Sequence, residues 1–400
     1  MRVSAGHLVQ GFSALGHLYV HLFTAFYAVM VLELGRDWQL PYHELIALWT
    51  IPSLLVGVGA VPAGWLADRW SARGMMAVFF LGIGASSIVC GLAQTTSGLV
   101  LGLCGIGLFA SIYHPVGIPW LVRNAVARGK ALGFNGIFGS AGVATGMFAT
   151  GLLIDLSGLR AAFILPGVMA VATGCVFVAL LRGGRIEDGS VVHREAPSSR
   201  GDMVRAFLVL LVTMLINGIV FQSMQTAAPK LFEDRLPALA EIGTMGIGTM
   251  VGIVYLAAGV IQLVGGHLAD RFPLKPVYIL GLLLQVPLLY LIAVSGSLPL
   301  VIAVMMNVVV STAILPAENM MLARFSPEKH RSLSFGIKYV FAFGSAPLAV
   351  QFVSYVHGET GDFYWLFMAL AGMAAAAFAA AVLLPPVGRS VGTVAPAAAE

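Results

Sequence analysis

The sequence predicts an all-α polytopic membrane protein, with twelve transmembrane helices arranged as two pseudo-symmetric six-helix bundles. Three observations predict it: few charged residues, long apolar runs and an internal repeat. Of the 400 residues, 59% are hydrophobic and only 10% are charged, and the mean hydropathy is +0.92. Soluble domains carry about 25% charged residues. A soluble enzyme and a disordered chain are therefore excluded, because polar side chains are too few to cover a water-facing surface of this size.

The cysteines and the basic residues exclude further classes of protein. Cys90, Cys104 and Cys175 are odd in number and far apart, which excludes a disulfide framework and a zinc-ligand motif. The net charge of +4 comes from scattered basic residues, so we expect no nucleic-acid partner. Neither a phosphate-binding loop nor a nucleophile paired with a base is recognisable in the sequence, so we expect no enzyme activity and no cofactor.

The individual spans follow from the length of the apolar runs. A helix needs about 20 apolar residues to cross the hydrocarbon core, and barrel strands would instead be short alternating segments. Helices are predicted at 11–34, 44–66, 74–94, 98–122, 131–155, 160–182, 205–228, 246–268, 275–295, 299–322, 332–356 and 362–385. The first run lacks a small-residue cleavage site, so we expect it to be retained.

Basic residues predict the orientation of these spans. With both termini inside, 17 of the 22 Lys and Arg fall in inner segments and only 4 in outer ones, while Lys338 lies within a span. This pattern predicts a multi-pass protein of a bacterial inner, or plasma, membrane with both termini cytoplasmic.

Composition divides the chain into four parts. Residues 1–182 are predicted as the N-terminal bundle and residues 205–386 as the C-terminal bundle. Residues 183–204, rich in Arg, Glu, Ser, Gly and Pro, are predicted as a cytoplasmic linker. Residues 387–400 are predicted as a disordered cytoplasmic tail.

The two bundles share an internal repeat. GWLADRWSAR (64–73) recurs as GHLADRFPLK (266–275), an offset of 202 residues. Pro115 is followed nineteen residues later by Phe134, and Pro316 is followed after the same interval by Phe335. Duplicated halves are typical of transporters that expose a central site alternately to the two sides of the membrane.

The repeated segment resembles the cytoplasmic loop signature of the major facilitator superfamily, and it follows predicted spans 2 and 8. The resemblance implies the major facilitator fold. Acids at these helix ends can pair with a nearby Arg or with the N-terminus of a neighbouring helix, and thereby latch the outward-facing state. The predicted latch residues are Gly64, Asp68, Arg69, Arg73, Gly266, Asp270, Arg271 and Lys275.

A narrower resemblance rests on SIYHPVG (111–117), RGKALGF (128–134) and a glycine-rich fifth span. These segments resemble the fosmidomycin-resistance-like exporters, which also have a His in span 1, as His17 is here. The resemblance implies efflux. The chain departs from that family at Val116, where an acid often follows His-Pro, and at Gly146 and Met147, where Gly-Pro is usual. These departures leave symport and uniport open.

Polar side chains within the spans are candidate functional residues, because they are costly in hydrocarbon unless paired or facing water. The superfamily resemblance implies that spans 1, 4, 7 and 10 line the central cavity. The candidates for substrate binding or proton coupling are His17, His21, Tyr113, His114, Asn217, Gln222, Gln225, Asn307, Glu318 and Lys338.

The histidines allow several interpretations. His17 and His21 are four residues apart and share one helix face. With His114 they are candidates for proton coupling or for binding an anion, because histidine titrates at ordinary pH. Imidazole also binds divalent transition metals, so a metal or metal-chelate transporter is an alternative. No further ligand completes the set in the sequence, so no metal site is assigned, and a structural role in hydrogen bonding stays open.

Glu318 and Lys338 are predicted at matching depths in spans 10 and 11. An ion pair between them would neutralise both in a low dielectric. Three roles stay open: a static pair, a lysine that snorkels to the surface, and a lysine that binds an anionic substrate with Glu318 as its proton-sensitive partner.

The sequence therefore predicts a monomeric secondary transporter that moves a small polar or anionic organic solute by alternating access. Proton coupling is favoured as the energy source, and efflux is favoured as the direction. The alternative from another class is a non-transporting membrane receptor or scaffold, which the repeated loop segments and the intramembrane polar residues disfavour.

The orientation can be tested with alkaline phosphatase, which is active only outside the cytoplasm. We expect fusions after Gly189 and after Glu400 to be inactive, and a fusion after Glu241 to be active. Phosphatase activity of the Gly189 fusion, at wild-type expression, would contradict the predicted topology.

Overall fold

The computed structural model describes residues 5–124, 128–186, 200–326 and 331–385. Within them it confirms the predicted fold, an all-α bundle with twelve helical segments long and apolar enough to cross a membrane. Spans 1 to 12 are Gly6–Trp38, Tyr42–Arg69, Ala72–Leu92, Thr96–Asn124, Ala131–Ser157, Leu159–Arg182, Gly201–Arg235, Thr244–Ala269, Leu274–Val294, Ser297–Leu322, Ile337–Thr360 and Tyr364–Val382. Residues 187–199 of the predicted linker and the predicted tail, 387–400, lie outside the described residues.

Spans 1 and 7 are longer than the apolar runs predict. They measure 33 and 35 residues, whereas about 20 suffice to cross the hydrocarbon core. The additional turns carry charged residues, among them Arg36 in span 1 and Glu233 in span 7. A helix satisfies its own backbone hydrogen bonds, so it can continue beyond the hydrocarbon where its charged side chains find partners.

Four spans are interrupted. Span 1 consists of Ala5–Ala25 and Tyr27–Trp38, span 2 of Tyr42–Ala47, Thr50–Val58 and Ala60–Arg69, span 4 of Thr96–Ala110, Tyr113–Gly117 and Ile118–Asn124, and span 10 of Ser297–Ala313 and Leu315–Phe325. Four other helices extend beyond their spans, as Arg128–Ser157, Arg200–Arg235, Thr244–Arg271 and Arg331–Thr360. A one-turn helix, Pro237–Ala240, joins spans 7 and 8.

The breaks in spans 4 and 10 lie at corresponding positions of the internal repeat. Pro115 lies in the π-helical turn Tyr113–Gly117, and Pro316 lies in the first turn of the helix after the break. Proline lacks an amide hydrogen and clashes with the preceding turn, which explains the change in winding. His114 directly precedes Pro115, and Glu318 lies two residues after Pro316. Each half therefore carries one ionisable side chain close to its break.

Span 5 packs between spans 1 and 8 and joins the two halves. Towards span 1, a Cβ atom at Gly142 would lie 2.3 Å from the carbonyl oxygen of Leu18. Towards span 8, a Cβ atom at Gly248 would lie 2.4 Å from the carbonyl oxygen of Met147. Both distances are far below van der Waals contact, so only glycine allows these backbones to approach so closely.

Polar contacts join the two halves at one end of the bundle, which we call the closed end. Nη2 of Arg36 in span 1 lies 2.7 Å from Oε1 of Glu233 in span 7. Oδ2 of Asp155, at the end of span 5, accepts a hydrogen bond of 2.8 Å from the backbone amide of Met245, at the start of span 8. Half-exposed ion pairs contribute at most about 1 kcal/mol each, so these contacts can be broken and remade.

The apolar core also joins the two halves at the closed end. One cluster fills the N-terminal half and continues across the closed end into the C-terminal half. Within it Phe12 and Phe177 pack edge to face, with ring centroids 4.8 Å apart. A second cluster, which includes Leu210, Tyr278 and Phe325, lies at the opposite end of the C-terminal half, which we call the linker end. The halves therefore share a core at the closed end, whereas the linker end of the C-terminal half has a core of its own.

Replacement of Gly248 by alanine tests the contact between spans 5 and 8. We expect Gly248→Ala to destabilise the purified protein by about 1–3 kcal/mol, because the new methyl group overlaps the Met147 carbonyl. Thermal unfolding in detergent, followed by tryptophan fluorescence, measures the effect. Gly372→Ala is the matched control, since a Cβ there meets nothing within 4 Å. Equal melting temperatures for the two variants would contradict the close approach.

Candidate functional site

A cavity of about 290 Å³ lies between the two halves. Spans 1, 2 and 4 form its N-terminal wall, and spans 7, 8, 10 and 11 form its C-terminal wall. The four spans predicted to line it do so, and spans 2, 8 and 11 contribute as well. Most of the lining is apolar, with a few polar groups from each half. The volume is at the lower limit of about 300 Å³ for ligand pockets, which suits a small solute.

The structure brings Glu318 and Lys338 together in the C-terminal wall. Nζ of Lys338 lies 2.8 Å from Oε1 of Glu318, and the side chains are 8% and 2% exposed. Lys338 also donates a hydrogen bond to Oδ1 of Asn319. The other carboxylate oxygen, Oε2, hydrogen-bonds with the hydroxyl of Tyr278 at 3.1 Å, and that hydroxyl lies 2.8 Å from Oγ1 of Thr213. Each charge is therefore matched in the wall of the cavity.

Three predicted amides line the same wall on span 7, and they are Asn217, Gln222 and Gln225. Oδ1 of Asn217 accepts a hydrogen bond of 3.2 Å from Nε2 of Gln285 in span 9. Gln285 was not predicted from the sequence, because it is buried within span 9 and not on a predicted cavity helix. Amides can both donate and accept hydrogen bonds. This surface can therefore bind a polar solute that donates hydrogen bonds or one that accepts them.

The three candidate histidines converge in the N-terminal wall. The ring centroids of His17 and His21 are 5.0 Å apart, and each lies 5.4 Å from the centroid of His114. His21 and His114 line the cavity, and His17 lies behind them. His114 also contacts the C-terminal half, because its ring centroid is 4.6 Å from that of Phe343 in span 11. The break at Pro115 brings His114 to the face of span 1 that carries the other two.

A buried hydrogen-bond network holds this wall in place. Nδ1 of His17 lies 2.8 Å from the carbonyl oxygen of Asn135 in span 5. Nδ2 of Asn135 donates a hydrogen bond of 2.9 Å to the hydroxyl of Tyr113, which donates one of 2.9 Å to the carbonyl oxygen of Ser13. Asn135 was not predicted as a site residue, although an asparagine within a predicted span is a signal of the same kind as the other candidates.

Three predicted cavity residues do not line the cavity: Tyr113, Asn307 and His17, which lies behind the other two histidines. Tyr113 is fully buried, and its hydroxyl serves the network between spans 1 and 5. Asn307 is 1% exposed and lies one helical turn nearer the closed end than Ser311, which does line the cavity. The helices pack tightly there, so the cavity ends before it reaches Asn307.

The predicted latch segments lie at the linker end. Asp68 is exposed and forms no ion pair with the described residues, and the guanidinium of Arg69 lies 4.2 Å from the ring centroid of Trp65. Nη1 of Arg73 donates a hydrogen bond of 2.8 Å to the carbonyl oxygen of Ile186, just beyond span 6. Gly64 packs beside Pro115. A Cβ atom added at Gly64 would lie 3.4 Å from the Cβ atom of Pro115.

In the second copy, Nζ of Lys275 donates a hydrogen bond of 2.8 Å to the carbonyl oxygen of Val382 in span 12. Gly266 meets nothing within 4 Å at its Cβ position, and Arg271 is exposed. The side chain of Asp270 lies outside the described residues. Arg73 and Lys275 thus contact backbone within their own half, and the latching role of both segments stays a prediction.

A second cavity of about 660 Å³ lies at the closed end of the N-terminal half. Asp37 and Arg160 are among its lining residues, and all of its walls come from the N-terminal half. A site for alternating access must be shared by both halves. The smaller, central cavity is therefore the candidate functional site.

Comparison with known proteins decides the family. The model of the Major Facilitator Superfamily matches residues 13–254 and 235–399 of the chain. The chain belongs to the Major Facilitator Superfamily. The family confirms the prediction from the repeated loop segments, and it identifies the chain as a membrane transporter and not an enzyme. The narrower resemblance to the fosmidomycin-resistance-like exporters stays a prediction.

Individual relatives of this superfamily member are distant. A puromycin resistance protein, pur8, from Streptomyces alboniger is 32% identical over 112 residues, which are 27% of this chain and 22% of that protein. The match thus spans about a fifth of that relative's length.

Two solved transporters share the fold. The peptide transporter POT, in complex with sulfate, is 16% identical with a TM-score of 0.76 and coverage of 95% of this chain and 94% of its own. A bacterial homologue of the human lysosomal transporter Spinster, in an inward-facing and unoccupied conformation, is 14% identical with a TM-score of 0.69 and 95% coverage of both chains.

A double-variant cycle tests the ion pair in the C-terminal wall. We expect Lys338→Met and Glu318→Gln each to lower the free energy of unfolding by about 3–5 kcal/mol, because each leaves one buried group without its partner. The variant with both changes should recover most of that loss. Thermal unfolding in detergent measures all four proteins, and strictly additive losses would contradict a direct pair.

Proposed function

We propose that the protein is a proton-coupled secondary transporter that exports a small anionic organic solute across the inner membrane by alternating access. The observation that carries this proposal is the buried ion pair of Glu318 and Lys338 in the wall of a cavity shared by both halves. Both walls come from one chain, so we expect the monomer to be the working unit.

The preference for an anion follows from the charges of the cavity. Of the described residues that line it, Lys338 carries the one permanent positive charge and Glu318 the one carboxylate. A carboxylate or phosphonate of the solute can replace Glu318 as the partner of Lys338, and the amides of Asn217 and Gln222 can bind its polar groups. The volume of about 290 Å³ limits the solute to a small one.

Proton coupling follows from the same exchange of partners. When a solute anion pairs with Lys338, the carboxylate of Glu318 is left without its cation in a buried wall, and it takes up a proton. The groups facing Glu318 are Lys338 and Asn319, with Tyr278 from span 9 and Thr213 from span 7. None of the other three is a second cation that would keep Glu318 ionised. Solute and proton therefore bind together.

The direction of transport depends on the gradients. Because the anion and the proton bind together, an inward proton gradient opposes export, so export is driven by the outward gradient of the solute and proceeds where that gradient exceeds the proton gradient. The resemblance to exporters and the match to a puromycin resistance protein support efflux. Since the predicted orientation places the closed end outside, the conformation described is one in which the cavity is shut off from the exterior.

The contacts at the two ends support alternating access. At the closed end the halves are joined by a half-exposed pair, Arg36 and Glu233, and by the hydrogen bond from Met245 to Asp155. At the linker end Asp68 forms no ion pair with the described residues. A rocking motion that breaks the first set would bring Asp68 into its latching contact, so that one end is held while the other opens.

Flux in proteoliposomes tests the proposal. Purified protein is screened by thermal shift against small carboxylates and phosphonates, with puromycin as a larger non-anionic probe. A stabilising anion is then radiolabelled and loaded into the vesicles. We expect acid on the side of the anion to accelerate its exit, and we expect Glu318→Gln to lose this acceleration while keeping pH-independent exchange.

Glu241→Gln is the matched control, because Glu241 is an exposed acid outside the spans. It should behave as the wild type. Acid-driven flux that survives in Glu318→Gln, or flux of puromycin with no response to any anion, would refute the proposal.

A further inference from the structure

The three histidines of the N-terminal wall bring their ring nitrogens close together. One nitrogen from each of His17, His21 and His114 lies within 4.8 Å of the others. His17 and His21 come from one face of span 1, and His114 comes from the π-helical turn Tyr113–Gly117 of span 4. Two helices thus present three imidazoles to one point.

The nitrogens at this point are free of competing partners. Both ring nitrogens of His114 are buried, and neither has a hydrogen-bond partner among the described residues, although the residue is only 8% exposed. A buried polar atom without a partner is destabilising, so an occupant is expected. The ring of His21 likewise forms no hydrogen bond with a described residue. The ring nitrogens of His21 and His114 therefore have lone pairs available to bind a ligand.

His17 is already oriented for binding. Its Nδ1 lies 2.8 Å from the carbonyl oxygen of Asn135, which can only accept a hydrogen bond. Nδ1 therefore carries the proton, and Nε2 holds the lone pair. A backbone carbonyl behind the distal nitrogen is the usual means by which proteins fix the tautomer of a histidine that binds a metal.

We propose that His17, His21 and His114 bind a divalent first-row transition metal, of the class of Zn²⁺ and Co²⁺, at a site open to the central cavity. Neutral imidazole nitrogens suit these ions, whereas Mg²⁺ and Ca²⁺ require oxygen ligands. Three protein ligands leave a fourth position, which faces the cavity because His21 and His114 line it. Water or an anion from the cavity completes a tetrahedron there.

Binding requires a small contraction of the cluster. Nitrogens that share a tetrahedral ion at 2.0–2.1 Å lie about 3.3 Å apart, so the rings must approach each other by up to about 1.5 Å. Gly139 controls this adjustment for His17, because a Cβ atom at position 139 would lie 2.7 Å from Nε2 of His17. Only glycine at 139 leaves that nitrogen room. The proposal does not depend on the proposed function, since binding is measured without transport.

Cobalt titration of the purified full-length protein in detergent tests the site. Tetrahedral Co²⁺ has intense visible absorption, which reports on ligand number, and displacement by Zn²⁺ gives its affinity. We expect one ion per chain for the wild type. His114→Gln and His21→Gln should lose the absorption band and weaken binding by more than about 100-fold, because the outer partners of such sites alone contribute about 10–100-fold. His267→Ala, which removes an exposed histidine, should bind as the wild type.

A pair of glycine variants tests the metal site without removing any of the three histidines. Gly139→Ala retains all three histidines and should weaken Co²⁺ binding by about tenfold or more, because the methyl group displaces the ring of His17. Gly133→Ala lies on the same helix, where a Cβ meets nothing within 4 Å, and should have no effect.

Three results would overturn the proposal. They are the absence of a tetrahedral Co²⁺ spectrum in the folded wild type, binding that is unchanged in His114→Gln, and equal affinities for Gly139→Ala and Gly133→Ala. Glu318→Gln separates this proposal from the proposed function, because it should bind Co²⁺ normally even where it abolishes acid-driven flux.

Discussion

The cost of an unpaired charge away from water is the constraint on which the rest of the structure depends. Lys338 and Glu318 lie almost fully buried, 2.8 Å apart, in the wall of a cavity that both halves share. Either charge alone would destabilise the fold by several kcal/mol, so each must always have a partner. In the proposed function, a solute anion and a proton supply those partners together. The interaction that stabilises the wall is then also the one that couples transport.

The remainder of the fold positions this pair and the wall opposite it. Prolines at matching positions of the repeat interrupt spans 4 and 10, so that His114 and Glu318 lie close to a break in each half. Glycines in span 5 allow it to lie against span 1 on one side and span 8 on the other. The closed end is held by contacts that are individually weak, which is what a reversible gate requires.

The sequence predicted the fold well because membrane architecture is governed by hydropathy, basic residues in loops and the internal repeat. It also placed Glu318 and Lys338 at matching depths in adjacent spans, where an ion pair was one of the three arrangements that stayed open. It predicted the ends of spans 1 and 7 less well, because the apolar runs end at residues 34 and 228 while the helices continue to Trp38 and Arg235. That continuation depends on contacts between halves that no local pattern encodes.

The site was predictable only in part for the same reason. The i, i+4 spacing places His17 with His21, but their meeting with His114 depends on the break before Pro115 and on the packing of span 4. Asn307 was misplaced because hydropathy does not reveal where along a span the cavity ends. Asn135 was overlooked although its position inside span 5 was itself a signal.

Infrared difference spectroscopy on the reconstituted protein tests the central claim most directly. The account predicts that a bound solute anion produces the carbonyl stretch of a protonated carboxylic acid, and that this band is absent in Glu318→Gln. A bound anion that produces no such band in the wild type would show that Glu318 stays ionised. It would contradict the claim that solute and proton enter the cavity together.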